Sequence, residues 1–219
     1  MSNFIKILAI DTSTDACSAA ISCEGQVIGY SEVVQRGHTK ILLPMIERLL
    51  NEVGVGLAEL DAFAFGRGPG SFTGVRIACS VIQALGFGMN KSVIPVSTLR
   101  ILAQSAYREY GAEQVLATLD ARMQQIYWGL FEKDIKGIMQ PVGDEKVQFS
   151  EEIQLPPGSW HRTTGFPKAS DMIEIALADY SLNRGVPSAQ ALPVYLRDEV
   201  VKKPAPTQDL NPPFKDFTF

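Results

Sequence analysis

The sequence is poor in the residues that bind metals and form disulfides. It contains only two histidines, His38 and His161, among 219 residues, and neither has a histidine or acidic partner at i+3 or i+4. This spacing excludes a helix-borne metal site of the His-x3-His or His-Glu-x2-His type. The cysteines Cys17, Cys23 and Cys79 are odd in number and match no metal spacing, so we interpret them as free thiols of the core in a reducing compartment.

Basic charge and export signals are also scarce. The net charge is -4 and the pI is near 5.3, so the chain lacks the basic surface that supplies affinity for nucleic-acid phosphates. Any contact with nucleic acid is therefore expected to need a partner. The first apolar run, residues 4–10, is interrupted by Lys6 and is too short for a signal sequence or a membrane span. We expect a cytoplasmic protein without membrane attachment.

Two motifs of hydrolytic enzymes are missing. There is no Gly-x-Ser-x-Gly elbow, and two histidines leave little choice of general base, so proteolysis is not expected. Residues 66–76, Gly-Arg-Gly-Pro-Gly-Ser-Phe-Thr-Gly-Val-Arg, resemble an anion cradle leading into an apolar helix; we call them the glycine loop. This loop lacks the lysine that a phosphate-binding P-loop places before its hydroxyl residue, so it needs another explanation.

Hydrophobic periodicity predicts an α/β fold with a mixed sheet, in which an antiparallel hairpin lies beside parallel strands. Predicted strands cover residues 4–10, 16–23, 27–34, 62–65, 92–96, 115–119 and 125–131. Predicted helices cover residues 39–53, 73–87, 98–110 and 171–182, with Thr39 and Ser97 as candidate N-caps. Pro44 leaves two alternatives open for the first helix, a later start or a local kink. Residues 141–167 show little periodicity.

The opening pattern of the chain recurs in its second half. A strand, an aspartate turn, a second strand and a hairpin turn follow one another at Asp11 and again at Asp120. This repeated pattern predicts a duplicated lobe. We divide the chain into an N-terminal lobe at residues 1–100, a reduced C-terminal lobe at residues 101–200, and a Pro-rich tail at residues 201–219 with little capacity to pack.

An aspartate at the end of a strand, followed by hydroxyl residues, is how actin-like and sugar-kinase-like ATPases present a carboxylate to phosphates and Mg²⁺. Asp11, Thr12, Ser13 and Asp120 are accordingly candidate nucleotide-binding residues. The alternative is that each aspartate only hydrogen-bonds its own turn. An ATPase or small-molecule kinase using Asp11 and Asp120 is the competing function, but residues 163–165 offer the only candidate for an adenosine pocket, so nucleotide turnover by this chain alone is not expected.

The helices predicted at residues 39–53 and 73–87 carry more apolar surface than one face of a sheet can cover. Either they are sandwiched inside the monomer or their excess apolar surface is an interface with another chain. Arg67 and Arg76 bracket the glycine loop. They could hold a carboxylate or phosphate bidentately, or be solvated.

Five segments together resemble the TsaB (YeaZ) family, in the same order along the chain: residues 7–14, 66–76, 96–99, 120–123 with 127–128, and 193–197. The resemblance implies an actin-like (ASKHA) fold of two lobes with mixed sheets, the second lobe reduced. It also implies a non-catalytic subunit that docks the catalytic subunit TsaD and helps to recruit the ATPase TsaE, for threonylcarbamoylation of the adenosine next to the anticodon of tRNA. ATP and metal are then expected on the partner subunits, and tRNA contact only through the complex.

The family interface, with TsaD or with a second copy in a homodimer, corresponds to the two overly apolar helices. The resemblance thus assigns contact residues to them and to the glycine loop: Leu42, Met45, Ile46, Leu49, Arg67, Phe72, Val75, Arg76, Ala78, Cys79 and Ile82. No catalytic residue and no metal ligand is assigned to this chain.

Overall fold

A computed structural model describes residues 4–34 and 37–197. The tail predicted at residues 201–219 lies outside the described residues. The strands, in chain order, are β1 Ile7–Asp11, β2 Ala16–Cys23, β3 Gln26–Val33, β4 Ala62–Gly66, β5 Ser92–Val96, β6 Gln114–Asp120, β7 Gln125–Lys133, β8 Met139–Pro141, β9 Lys146–Phe149 and β10 His161–Thr163. The α-helices are α1 His38–Val53, α2 Phe72–Met89, α3 Thr98–Tyr110 and α4 Ala169–Ser181.

The first sheet has the strand order β3-β2-β1-β4-β5. Strand β1 pairs antiparallel with β2 and parallel with β4, which confirms the predicted hairpin beside parallel strands. Every residue of β1 and β4 is buried. Near-continuous apolar strands of this kind belong to sheets that helices cover on both faces.

The second sheet repeats this plan in shorter form. Strand β6 pairs antiparallel with β7 and parallel with β10, as β1 does with β2 and β4. Strands β8 and β9 both pair with β7. Between β9 and β10 the described chain has a single 3-10 turn, Ser150–Glu152, where the first lobe has α1. The predicted duplication is therefore present, and the second copy is the reduced one.

Helices from both halves of the chain cover the first sheet. Helices α1 and α2 bury their apolar stripes on one face, together with Phe63 and Phe65. Helix α4 buries Met172, Ile173 and Ala176 on the opposite face, whereas α3 packs mainly on the second sheet. The first lobe is thus completed by a helix from the C-terminal part of the chain.

Two predicted helix starts can now be compared with the structure. Helix α1 begins at His38 after Gly37, whose φ is 136°, so the predicted cap at Thr39 is wrong. Pro44 lies inside α1, which continues without interruption to Val53, so the later start is excluded. The cap predicted at Ser97 is confirmed, because its side chain accepts hydrogen bonds from the backbone N–H groups of residues 99 and 100.

A buried ion pair joins the two helices that come from different parts of the chain. Arg100 on α3 donates through Nη1 to Oδ2 of Asp179 on α4 at 2.7 Å, and through Nε to the carbonyl of Met139 at 2.7 Å. Both charged side chains are nearly inaccessible to water. Arg184, which is half exposed, donates to the other oxygen of Asp179 at 2.9 Å.

We predict that Arg100→Met lowers the free energy of unfolding by about 3 kcal/mol, because removing one member of a buried ion pair leaves the other charge poorly compensated. Arg184→Met is the matched control on the same carboxylate. It should cost less than about 1 kcal/mol, because its side chain is exposed. Urea unfolding measures both values, and equal losses in the two variants would contradict the role of burial.

Candidate functional site

The carboxylate of Asp11 is engaged by its own turn. Asp11 ends β1 and is fully buried, and its Oδ1 accepts hydrogen bonds from the backbone N–H of Ser13 at 2.9 Å and from the Ser13 hydroxyl at 2.8 Å. We call residues 11–14 the aspartate turn. Asp11 therefore shapes its own turn, as one of the two interpretations of the sequence expects.

The glycine loop packs directly against the aspartate turn. The backbone N–H of Ser71 donates to the carbonyl of Ser13 at 2.6 Å, and the Thr12 hydroxyl donates to the carbonyl of Gly74 at 2.6 Å. A Cβ atom at Gly70 would lie 2.3 Å from the Ser13 carbonyl oxygen, and one at Gly74 would lie 1.8 Å from that of Thr12. The glycines therefore serve a close approach of two backbones.

Burial gives Asp11 an unusual proton affinity. Its Oδ2 has no hydrogen-bond partner among the described residues, and a Cβ atom at Gly66 would lie 1.7 Å from this oxygen. Loss of hydration raises the pKa of Asp11 to about 7, and the two hydrogen bonds from Ser13 offset only part of that rise. Near neutral pH this carboxyl group is divided between its neutral and charged forms.

A cleft of about 550 Å³ separates the two lobes. Ser13 and Asp120 line it, whereas Asp11 and Thr12 lie buried behind its wall. Asp120 is exposed and accepts hydrogen bonds from the backbone and side chain of Arg122, at 2.7 and 3.3 Å. The structure therefore brings only two of the four candidate nucleotide-binding residues to one cavity. The remaining wall is partly aromatic, with Phe72, Tyr127, Phe166 and Tyr195.

Residues 186–197 form a strap along α2 that periodicity did not predict. The strap begins as a bridge between Val186 and Val93 of β5. Farther along, the carbonyl of Ala191 accepts a hydrogen bond from Gln83 of α2 at 2.9 Å. At its end Arg197 donates to Gln125 of β7. The strap thus connects α2 to the second lobe.

Eight of the predicted contact residues lie in the core of this chain. The apolar stripes of α1 and α2 face the first sheet, and these side chains are at most 9% exposed: Leu42, Met45, Ile46, Leu49, Val75, Ala78, Cys79 and Ile82. The predicted contact face is therefore corrected, because the 3.6-residue stripe of each helix is the side that the sheet covers. Cys17 and Cys79 are buried, as predicted for core thiols, whereas Cys23 is half-buried.

The outward sides of α1 and α2 nevertheless carry apolar surface. Phe87 is 82% exposed, Leu43 56% and Phe72 45%. A groove of about 440 Å³ lies along the first half of α2, beside the start of α1, and is lined by Thr39, Phe72, Thr73, Arg76, Ile77, Ser80 and Val81. Ser80, Ala84 and Gly88 are exposed at four-residue spacing, so another backbone could approach α2 closely. We call this groove, with Leu43, Ala84 and Phe87, the α1/α2 face.

The two arginines that bracket the glycine loop have different surroundings. Arg67 is half-buried, and its Nε has no hydrogen-bond partner among the described residues. Burial raises the pKa of Glu145, and the charge of Arg67 opposes that rise. Arg76 is exposed, and its guanidinium lies 3.5 Å from the centroid of the Phe72 ring. Only Arg76 belongs to the α1/α2 face.

Comparison with known proteins places this chain in a family. The family model described as TsaD, tRNA N6-adenosine threonylcarbamoyltransferase, matches residues 30–186. The Escherichia coli "tRNA threonylcarbamoyladenosine biosynthesis protein TsaB" is 38% identical over 94% of this chain and 100% of its own length. The Haemophilus influenzae protein of the same name is 34% identical over 94% and 99%. The chain belongs to the TsaB family.

A solved structure supports the fold of this TsaB family member. YeaZ from Pseudomonas aeruginosa has a TM-score of 0.85 and 42% identity, covering 88% of this chain and all of its own chain. The fold class predicted from the sequence, a two-lobe actin-like fold with a reduced second lobe, is confirmed. Within residues 4–34 and 37–197, no group of three or more His, Cys, Asp or Glu side chains is arranged to hold a metal ion.

We predict that Gly74→Ala destabilises the protein by more than about 2 kcal/mol, although alanine in a helix is normally favoured over glycine by 0.5 to 1 kcal/mol. The new methyl group would collide with the Thr12 carbonyl, which is a backbone atom and cannot rotate away. Gly88→Ala, in the same helix with open space around it, is the control and should be neutral or stabilising. Thermal unfolding of both variants decides the matter, and a neutral Gly74→Ala would contradict the close contact.

The burial of the Asp11 carboxyl group leads to a second prediction, which concerns the pH dependence of stability. The pKa of Asp11 is about 7 in the folded state and 3.8 in the reference state, so its contribution to stability is lost as the pH rises from about 4 through 7. Asp11→Asn should therefore gain stability relative to the wild type as the pH rises from about 4 to 7, as measured by urea unfolding. Asp120→Asn, at the equivalent exposed turn, is the control for loss of a charge. An equal gain in both variants would contradict burial as the cause.

Proposed function

We propose that this chain acts in the biosynthesis of threonylcarbamoyladenosine in tRNA as a non-catalytic subunit that docks TsaD through its α1/α2 face. The names of the relatives that align over nearly their full length supply the process. The match of residues 30–186 to the TsaD family model supports TsaD as the partner, because homologous chains carry equivalent elements that can pack against each other.

This proposal rests mainly on the apolar surface that α1 and α2 still expose, although the first sheet already covers their apolar stripes. An exposed groove beside Phe87 and Leu43 costs solvation free energy that a partner can recover, at roughly 1.5 to 3 kcal/mol for each large side chain that it covers. Residues 30–186 include both α1 and α2. TsaD is therefore expected to carry an equivalent helix pair, and the two pairs can meet in a pseudo-symmetric contact. In the absence of TsaD, a second copy of this chain is expected to occupy the same face.

The interlobe cleft supports a non-catalytic role. In this chain the carboxylate of Asp11 is enclosed behind the turn that it shapes, and Asp120 is engaged by Arg122. Of the four candidate residues, only Ser13 and Asp120 line the cleft, and Asp120 is already paired with Arg122. We accordingly assign ATP and metal to the partner subunits, and recruitment of TsaE to the assembled complex. The negative net charge of the chain is consistent with tRNA contact through those partners.

The test is a charge placed on the outward side of α2. Phe87→Glu should abolish co-purification with TsaD and reduce threonylcarbamoyladenosine in tRNA, because the contact would have to bury an unpaired carboxylate. Ile135→Glu is the matched control, since Ile135 is a fully exposed apolar side chain at a turn of the second lobe. It should leave both readouts unchanged.

Far-ultraviolet circular dichroism and thermal unfolding establish that both variants are folded. Ala78→Glu is unsuitable for this purpose, because Ala78 is fully buried and its replacement would disrupt the core. If folded Phe87→Glu protein still bound TsaD with the affinity of the wild type, the α1/α2 face would not be the docking surface.

A further inference from the structure

Helix α2 carries a single charged residue over its whole length. Among the 18 residues of Phe72–Met89 this residue is Arg76, and the helix contains no aspartate or glutamate. Arg76 lines the groove of the α1/α2 face and is exposed. A lone cation in an otherwise uncharged docking surface decides which partners can bind there without leaving a buried charge unpaired.

The side chain of Arg76 is held in position before any partner binds. Its Nε donates a hydrogen bond to the hydroxyl of Tyr195 at 2.8 Å. Its guanidinium carbon lies 3.5 Å from the centroid of the Phe72 ring and 5.5 Å from that of Tyr195. Stacking on aromatic rings orders a guanidinium while leaving its edge available for hydrogen bonds. Less conformational entropy is then lost when a partner pairs with it.

The outer nitrogens of this guanidinium have no carboxylate within the described residues. Arg100, Arg108, Arg122 and Arg184 all form ion pairs with acidic side chains of this chain, whereas Arg76 forms none there. Its two Nη groups thus present an open fork of donors at the edge of the groove. A planar fork of this kind matches a carboxylate with two parallel hydrogen bonds.

We propose that Arg76 is a carboxylate receptor on the α1/α2 face, and that the partner seated there presents an acidic side chain from an otherwise apolar helix. This inference rests on the proposed docking function and adds the chemistry of the partner. It also makes Arg76 the residue that favours a different chain over a second copy of this one.

A second copy lacks a matching acid on α2. In a two-fold contact between α2 helices, each copy would bring another Arg76 to the same apolar surface, and like charges there oppose association. Helix α1 has two exposed carboxylates, Glu47 and Glu52. Glu52 accepts a hydrogen bond from the hydroxyl of Tyr30, so Glu47 is the residue through which a second copy could satisfy Arg76.

Titration calorimetry of the full chain with TsaD at low and high salt tests the proposal. Arg76→Met removes the charge and the guanidinium but keeps an unbranched apolar side chain beside Phe72, and should weaken binding at least tenfold at low salt. The salt dependence of the affinity should fall with it, because the screened ion pair has been removed. Arg76→Lys should lose part of the affinity and retain the salt dependence, since a lysine keeps the charge but not the fork. Tyr195→Phe should weaken binding less than Arg76→Met.

Self-association is measured in parallel by analytical ultracentrifugation. Arg76→Met should self-associate no more weakly than the wild type, because the like charges have been removed. Equal weakening of the homodimer and of the TsaD complex would overturn the proposal. So would a Glu47→Gln variant with a weakened homodimer, since a second copy would then supply the carboxylate. If Phe87→Glu abolishes TsaD binding while Arg76→Met binds like the wild type, only this inference fails and the docking function stands.

Discussion

The direct contact between two stretches of backbone, the aspartate turn and the glycine loop, determines where α2 lies. The Thr12 hydroxyl donates a hydrogen bond to the loop and the Ser13 carbonyl accepts one from it. At the points of closest approach there is no room for a side chain, and both positions are glycines. The start of α2 is therefore set by a rigid junction instead of by adjustable side chains. Everything that α2 carries, including the groove and Arg76, inherits its position from this junction.

The same contact gives a packing role to the glycine loop, whose sequence resembles a phosphate-binding loop. In an anion cradle the backbone N–H groups of a glycine loop point at a ligand, but here the N–H of Ser71 is occupied by the carbonyl of Ser13. The turn that presses on the loop also encloses Asp11, whose burial is costly and raises its pKa to about 7. Its two hydrogen bonds to Ser13 shape the turn that makes the contact. The carboxylate of Asp11 thus helps to hold the turn that packs on the glycine loop.

The sequence predicts the long helices and strands well, because an element of that length shows its hydrophobic period several times over. Strands β8, β9 and β10 were missed since they span three or four residues, too few for a period to be detected. The strap at residues 186–197 has no period for a related reason, because isolated contacts hold it: a bridge to β5 and side-chain hydrogen bonds from Gln83 and Arg76 of α2. The helix faces were reversed: the apolar stripe predicts the buried side of a helix, and the residues outside it, Leu43 and Phe87, were the available signal for a surface. The state of Asp11 depends on how closely two backbones approach, which no local pattern records.

Phe72 connects the two cavities of the molecule. Its ring lines the groove of the α1/α2 face and also the interlobe cleft. Arg76 stacks on one side of this ring, and Tyr195, whose ring centroid lies 5.5 Å away, forms another part of the cleft wall. A side chain shared by two cavities cannot change its rotamer in one without changing the shape of the other. Arg76, Phe72 and Tyr195 therefore join the outer face and the wall of the cleft in one packed arrangement.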